Sequence, residues 1–469
     1  MTTRMELAGK RALVVGLARS GVAAARLLLA RGARVVATDR KPADELTGEV
    51  LGLEREGVRL ELGGHREASF AEAELVVVSP GVAWDAPELE AARRAGAEVI
   101  AEIELGYREA KGTVAAVTGT KGKSTTTAAL GAMLRAAGPP AGGDVRVGGN
   151  IGSPLTGLLE GASPATTFVL EVSSFQLEGI ALFHPQVAVF LNLSADHLDR
   201  HPSLEAYTRA KARVFENQGA EDWAIVNADD PTVLALARAG RARRLALHPH
   251  GIPGEREDAA WFQAGLARLR LDGRVETLFR RTDVRLPGRH LAFDLLAAGA
   301  AAHAIGAPVA AIARAVAAFA GSEHVLERVA ELHGVAFFND SKATNIAAAL
   351  ASLEAFEQPV VAIMGGKWKG GDFAELREAA ARRVRCVVAI GEARERLALA
   401  LASRVPVLVC ESLREAVEGA WSAARPGDAV VLAPACASFD MFEDYAARGR
   451  AFKDEVRRLA EREGGETGG

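Results

Sequence analysis

Residues 118–126 read TGTKGKSTT, two glycines, two lysines and several hydroxyls at a spacing that could hold phosphate. In the usual phosphate-binding loop four residues separate the first glycine from Gly-Lys-Ser/Thr. Here only Thr120 and Lys121 lie between Gly119 and Gly122. The flanks still fit, because AAVT before the loop has strand character and STTTAALGAMLRAAG after it reads as a helix ending at Gly138. Glycines at a strand-to-helix turn offer backbone N–H groups and a helix dipole to an anion. Lys123 would meet the phosphates as a point charge, and the Ser124 hydroxyl would ligand Mg2+. The plain alternative is a threonine-rich helix cap, and Gly-Lys-Ser in this setting weighs against it.

Other groups could act beside this loop. Glu171 closes the run TTFVLEV, and Asp196-His197 follow QVAVFLNL. In a parallel sheet the carboxyl ends of neighbouring strands share one edge, the edge on which the loop after AAVT opens. Glu171, His197 and Ser124 can then converge on a hard cation beside the phosphates; the ordinary role of a lone Glu or His at a strand end is a solvated cap. Lys211, in LEAYTRAKARVFEN, reads from its pattern as a solvated charge on a helix. Further on, NDSKATN (339–345), GGKWKGGDF (365–373) and APACASFDMF (433–442) each follow a strand-like run. Each brings a lysine, hydroxyls or helix-start amides to a sheet edge, where carboxylate or phosphate could bind. Near the N-terminus, VVGLARSG with Asp39 after RVVAT resembles a dinucleotide fingerprint whose middle glycine is Ala18. A Cβ there obstructs close approach to a pyrophosphate, which weakens NAD as the ligand and leaves some other nucleotide diphosphate.

The elements that must position these groups alternate in type. Over the first hundred residues RALVVG, ARVVATD and AELVVVSPG alternate with helical stretches such as PELEAARRAG, the pattern of βαβ units and a parallel sheet. A second block starts at GTVAAVTGTKGKST and changes character near LARLRLDGRVETLF, where Asp272-Gly273 predicts a hairpin and a small antiparallel flank. Its end, from Leu295 to Gly321, is Ala-rich and could be mistaken for a membrane span. His303, Pro308 and Arg314 argue instead for a buried helix pair turning near Gly306-Ala307-Pro308. A third block repeats the α/β alternation with GVAFFND, VVAIMGG, VRCVVAIG, VPVLVC and DAVVLAPA, and the tail EREGGETGG is expected to fray.

Composition narrows the classes. The 469 residues carry 25% charged and 49% hydrophobic residues and a net charge of -4, so no basic excess points to nucleic acid or an anionic membrane. Three cysteines, Cys386, Cys410 and Cys436, without CxxC spacing argue against disulfides and a zinc site. MTTRMELAGK lacks the apolar run of a signal peptide, and the expected location is the cytoplasm.

Taken together these strings resemble the Mur ligase family, and EVSSFQLE (171–178), NDSKATN and PACASFD (434–440) resemble its D-glutamate-adding branch, over a span from Leu13 to Phe452. The resemblance implies an α/β protein of three domains. These are a Rossmann-like N-terminal domain for a UDP-linked substrate (1–106), a central P-loop-type parallel sheet with its antiparallel flank for ATP (107–321), and a Rossmann-like C-terminal domain for D-glutamate and part of ATP (322–469). The implied reaction phosphorylates the carboxylate of UDP-N-acetylmuramoyl-L-alanine with ATP and couples the acyl phosphate to D-glutamate. Two Mg2+ ions assist it, and the protein is expected to be a monomer.

Position by position, the resemblance places Gly119, Thr120, Gly122, Lys123, Ser124 and Thr125 on ATP and the first Mg2+, with Glu171 and His197 as metal ligands. Lys211 matches a lysine carried as a carbamate toward the second Mg2+, which reverses the reading of its pattern; an ammonium repels a cation, whereas a carbamate is an anionic oxygen ligand. Leu17, Ala18, Asp39, Arg40, Ser79, Asn150 and Ser173 fall to the UDP-substrate, with Asp39 and Arg40 at the uracil. Asp340 falls to the ATP ribose and Lys342 to its phosphate end. Thr344, Lys369, Ser438, Phe439 and Tyr445 line the D-glutamate pocket, Thr344 and Lys369 gripping the α-carboxylate.

The chain also departs from the family pattern. HLAFD places Leu291 and Asp294 where relatives carry asparagines near adenine, and Asp294 can accept a hydrogen bond from the adenine amino group but cannot donate one as asparagine does. EHVLER places Val325 where a phosphate-contacting arginine is expected, with Arg328 as a candidate replacement, and Lys121 has no assigned role. Three other readings stay open from sequence: another amino-acid-adding member of the same family; an NAD-dependent oxidoreductase, which leaves the Gly-Lys-Ser loop unexplained; and a nucleotide-switch module, against which the three C-terminal loops count.

Overall fold

The computed structural model describes residues 5–138, 142–197, 200–321, 323–464 and 466–467. The chain forms two compact units, one made of the residues up to Asp283 together with Asp294–Ala317, the other of Val284–Phe293 and the residues from Ala318.

The first unit holds two sheets. Strands β1 (Arg11–Val15), β2 (Arg34–Asp39), β3 (Arg59–Leu62), β4 (Leu75–Val78) and β5 (Glu98–Ala101) lie parallel in the order β3-β2-β1-β4-β5. Runs such as LVVV in β4 are buried along their length, as a sheet covered on both faces requires. Nine strands form the second sheet: β6 (Thr113–Thr118), β7 (Val145–Gly149), β8 (Thr167–Glu171), β9 (Val187–Phe190), β10 (Trp223–Asn227), β11 (Arg243–His248), β12 (Ala259–Gln263), β13 (Leu266–Leu271) and β14 (Arg274–Arg280). Their order is β14-β13-β12-β11-β10-β9-β6-β8-β7. The expected antiparallel flank is β12-β13-β14, continuous with the parallel part through β11, and the predicted hairpin turns at Asp272 (φ 49°) and Gly273 (φ 76°).

The two sheets share one core, in which Leu28, Leu105, Leu155, Phe168 and Phe190 are packed together. The helix Glu102–Glu109 is buried throughout although its sequence, EIELGYRE, is rich in charge. Glu104 explains this, because its carboxylate accepts the N–H groups of Ala181, Leu182 and Phe183, each at 2.9 Å, and a bond from Arg108 at 2.6 Å. The Ala-rich segment forms helices Arg289–Ala304 and Val309–Ala318 with Gly306 (φ 107°) in the turn, as expected. Among the described residues no helix is long and apolar enough to cross a membrane.

The second unit carries β15 (Glu327–Leu332), β16 (Val335–Asn339), β17 (Val360–Gly365), β18 (Val384–Ile390), β19 (Val407–Val409), β20 (Ala429–Leu432) and β21 (Glu466–Thr467), in the order β19-β18-β17-β20-β16-β15-β21. The five predicted strands β16 to β20 are parallel; β15 and β21 add an antiparallel edge that their sequences do not announce. The tail expected to fray is helical to Glu463 and then pairs, Glu466 opposite Glu331 and Thr467 opposite Ala330.

Candidate active site

The phosphate loop leaves β6, the strand flanked by β8 and β9, so its neighbours on the carboxyl edge are the loops that carry Glu171 and Asn192. The helix Lys123–Ala137 follows with no side-chain cap and no acid in its first turn, which leaves its amino end open to an anion. Gly122 is needed on two counts. Its φ is 86°, and a Cβ there would stand 2.3 Å from Asp294 Oδ1. The short loop is braced by Asn192, a residue that the sequence did not single out. Its Oδ1 accepts from the N–H groups of Thr120 (3.2 Å) and Lys121 (2.8 Å), and its Nδ2 donates to the Lys121 carbonyl (3.0 Å). Two loop amides therefore hold the loop itself, and the amides from Gly122 onward are those left to face a ligand. Lys123 Nζ folds back onto the Thr120 carbonyl at 3.0 Å, while the exposed Lys121 side chain makes no ion pair among the described residues.

Ser124 and Glu171 meet as expected. The Ser124 hydroxyl donates to Glu171 Oε2 at 2.6 Å, and Asn150 Nδ2 donates to Oε1 at 2.8 Å. Glu171 is 2% exposed, so of the two roles left open by its position it is not a solvated cap. A hydroxyl and a carboxylate in contact are oxygen donors suited to a hard cation such as Mg2+. His197 stands apart: its backbone is left-handed (φ 53°), its half-exposed ring lies edge-on to Phe175 at 5.1 Å, and its charged neighbour is Asp196 at 3.7 Å. Among the described residues no three His, Cys, Asp or Glu side chains form a ready metal cluster.

Lys211 is the clearest correction to a pattern-based expectation. It is 2% exposed, and its Nζ donates to the Gly119 carbonyl (2.8 Å) and Thr118 Oγ1 (3.3 Å) over the ring of Tyr207 (5.0 Å). Burial, reinforced by the nearby Lys123 charge, lowers its pKa to about 7. Asp294 also differs from expectation. Its full burial pushes the carboxyl well above the usual carboxylate range, which favours the protonated form, the form that can donate as well as accept.

A cavity of about 660 Å³ opens where the chain reverses direction across the first sheet, at the carboxyl ends of β1, β2 and β4. Leu17, Ala18, Asp39, Arg40, Ser79 and Asn150 line it, as do His65, Gln176 and Arg200, which the sequence had not offered. Asp39 uses both oxygens on backbone N–H groups, Oδ2 on Leu17 (2.7 Å) and Oδ1 on Lys41 (2.9 Å). Ser173 is engaged elsewhere, closing a capping box with Gln176 at the start of helix Ser174–Glu178. Arg200 spans the loop after β4, donating to the carbonyls of Gly81 and Val82 at 3.0 Å each, and stacks on Phe175.

In the second unit the three expected loops follow β16, β20 and β17, adjacent parallel strands, and therefore emerge on one edge. Arg448, which the sequence had not marked, ties them together. Only 1% exposed, it donates to Ser341 Oγ and the Ser341 carbonyl (2.9 Å each) and to the carbonyls of Cys436 and Ala437 (3.2 Å). Asp340 is buried, accepts from the Ser352 hydroxyl, and has its pKa raised to about 6 by that burial. Ser438 is buried, whereas Phe439 (62% exposed), Lys369, Lys342 and Tyr445 stand open on the same edge, Lys369 Nζ lying 5.9 Å above the Phe439 ring. Arg328 lies exposed on β15 and spends its guanidinium on Glu331, and Leu291 packs into the apolar core with Leu286 and Leu326.

Comparison with known proteins bears on the same chain segments. Family profiles match over residues 10–101 (Mur ligase MurD-like, N-terminal domain), 117–302 (Mur ligase middle domain) and 324–436 (Mur ligase, glutamate ligase domain). A UDP-N-acetylmuramoylalanine--D-glutamate ligase of Geobacter metallireducens is 44% identical over 457 residues, 97% of this chain and 99% of its own. The enzyme of that description from Solibacter usitatus is also 44% identical, over 97% and 99%. In fold, the chain is similar to the UDP-N-acetylmuramate-alanine ligase MurC of Thermotoga maritima (TM-score 0.56, 19% identity, 96% of this chain and 100% of that one). The MurF ligase of Thermotoga maritima, solved in complex with ADP, compares at TM-score 0.56 and 16% identity over 98% of each chain. Profiles along most of its length and near-full-length relatives well above a third identical place this chain in the Mur ligase family.

Proposed function

We propose that the protein is an ATP-dependent ligase that joins D-glutamate to UDP-N-acetylmuramoyl-L-alanine during synthesis of peptidoglycan precursors. The observation that carries this reading is the 2.6 Å contact of Ser124 with Glu171 beside the uncapped amino end of helix Lys123–Ala137. A carboxylate is a poor electrophile; transfer of the γ-phosphoryl group to its oxygen gives an acyl phosphate and ADP, and attack by the D-glutamate amine then expels phosphate. Both steps gather negative charge, which the open amides after Gly122 would meet, together with the Lys123 ammonium once it leaves the Thr120 carbonyl.

Ser124 and Glu171, with His197 and Lys211 as a carbamate, would hold Mg2+, two ions in all. The metal would neutralise phosphate charge. The lowered pKa of Lys211 supports the modification, since the neutral amine is the form that attacks CO2. Gly119, Thr120 and Thr125 complete the ATP loop, Asp294 serves the adenine, Asp340 the ribose and Lys342 the phosphate end. The cavity holding Leu17, Ala18, Asp39, Arg40, Ser79 and Asn150 takes the UDP-substrate, and Ser173, bonded to the lining residue Gln176, would be a further contact. Thr344, Lys369, Ser438, Phe439 and Tyr445 take D-glutamate. The same reading divides the chain near residues 106 and 321, and has it act as a monomer in the cytoplasm, where ATP and UDP-linked precursors are found.

The test is ADP release with substrates added singly and together. Release that requires both UDP-N-acetylmuramoyl-L-alanine and D-glutamate, with an acyl phosphate trapped by hydroxylamine, is expected. ATP hydrolysis indifferent to both would overturn the assignment.

A further inference from the structure

We infer that His65 is the residue that distinguishes uracil from cytosine, its Nε2 lone pair accepting the N3–H of the base; this rests on the UDP-substrate reading of the cavity. His65 sits in the turn Gly63-Gly64-His65 after β3, and the turn is tied by backbone to the strand end that carries Asp39. Gly63 N donates to the Lys41 carbonyl (2.9 Å) and Gly64 N to the Asp39 carbonyl (3.2 Å), so the imidazole is held on the wall of the cavity that also exposes Asp39, Arg40 and Lys41. The ring rests edge-on against Phe70 at 5.8 Å.

The hydrogen bonds around the ring select its tautomer. Thr38 Oγ1 lies 2.9 Å from His65 Nδ1 and 3.3 Å from the Gly64 carbonyl. A hydroxyl has one proton, and the carbonyl can only accept. Both contacts are satisfied when Thr38 donates to Gly64 and Nδ1–H donates to Thr38. Nε2 is then a bare lone pair, and among the described residues nothing in the protein donates to it. Burial, and next the Arg40 charge, hold the pKa of His65 below its ordinary value, in keeping with a neutral ring.

A fixed acceptor reads pyrimidines in one way only. Uracil carries a proton on N3, whereas cytosine carries a lone pair there, so Nε2 attracts the first and repels the second. Directed at position 4 the same lone pair would favour the cytosine amino group over the uracil carbonyl. The two placements therefore predict opposite selectivity, and the first is the one that serves a uridine nucleotide. Asp39 already accepts one backbone N–H on each oxygen, whereas the ring nitrogen is a side-chain acceptor on this wall of the cavity to which no protein group donates among the described residues.

The test is calorimetric titration of the full chain with UDP and with CDP, for the wild type, His65→Leu and His65→Gln, with thermal melts to establish that each variant is folded. The wild type is expected to prefer UDP by about tenfold or more, the worth of one well-placed hydrogen bond. His65→Leu should bring the two affinities within about twofold by weakening UDP, and His65→Gln, which keeps an acceptor, should retain a preference above about threefold. A UDP-to-CDP ratio unchanged in His65→Leu overturns the role of His65 while leaving the substrate reading intact. Absence of UDP binding in the wild type overturns both.

Discussion

At the scale of single residues, what decides the chemistry is how far each titratable group has been taken out of water. Lys211 and Asp340 are both buried and shift in opposite directions, Lys211 down to about 7 and Asp340 up to about 6, because burial disfavours whichever form is charged. Replacing Lys211 by alanine is expected to lower ligation by about 100-fold or more, with short carboxylic acids partly restoring it by lending an oxygen ligand where the carbamate would stand. Steady-state rates with and without added acetate check this, and full activity in the variant would refute the role. If Asp340 takes the ATP ribose as proposed, its ionised form would accept the ribose hydroxyls. Ionisation is lost as pH falls through about 6 rather than through the ordinary range near 4. The KM for ATP should therefore climb by up to about tenfold per pH unit below that point, and Asp340→Asn should flatten the profile. Neither burial was legible in the sequence: LEAYTRAKARVFEN looks like a surface helix until Lys211 is seen to reach back to Gly119, 92 residues earlier in the chain.

At the scale of elements, one residue often holds several loops. The Arg448 guanidinium satisfies acceptors in the loops after β16 and β20, and its pKa falls to about 10 because burial is not offset by a paired carboxylate. Arg448→Met removes those donors and strands buried carbonyls. It is expected to cost about 2–4 kcal/mol of stability and to raise the KM for D-glutamate while leaving UDP binding unchanged. Chemical denaturation and substrate titrations measure the two effects separately, and an unaltered KM would show that the loops do not depend on it. The strands themselves were largely readable, since runs such as VVAIM and AVVL are continuous and apolar. β15 and β21 were not, because ERVAEL and ET become strands only through the edge of β16 that they cover.

At the scale of the whole molecule, the residues proposed for one reaction stand on two compact units: the phosphate loop, Glu171 and Lys211 on the first, Asp340, Lys369 and Phe439 on the second. An acyl phosphate exposed to water would be lost to hydrolysis, so turnover calls for the second unit to close on bound nucleotide. Small-angle scattering with ATP and the UDP-substrate is expected to give a smaller radius of gyration than without them. Identical profiles would contradict closure.

The sequence by itself determined the α/β architecture, the strand-to-helix setting of TGTKGKSTT and the three loops on one edge of the last sheet, since hydrophobic periodicity and glycine placement are local properties that short windows express. Only the tertiary structure decided that Glu171, Lys211 and Asp294 are buried, that Asn192 braces the short loop, and that His65 and Arg448 face a cavity and a loop junction. Burial and hydrogen-bond partnership depend on residues far apart in the chain, and Thr118, Gly119, Glu171, Asn192 and Lys211 become neighbours only when parallel strands bring their carboxyl ends to one edge.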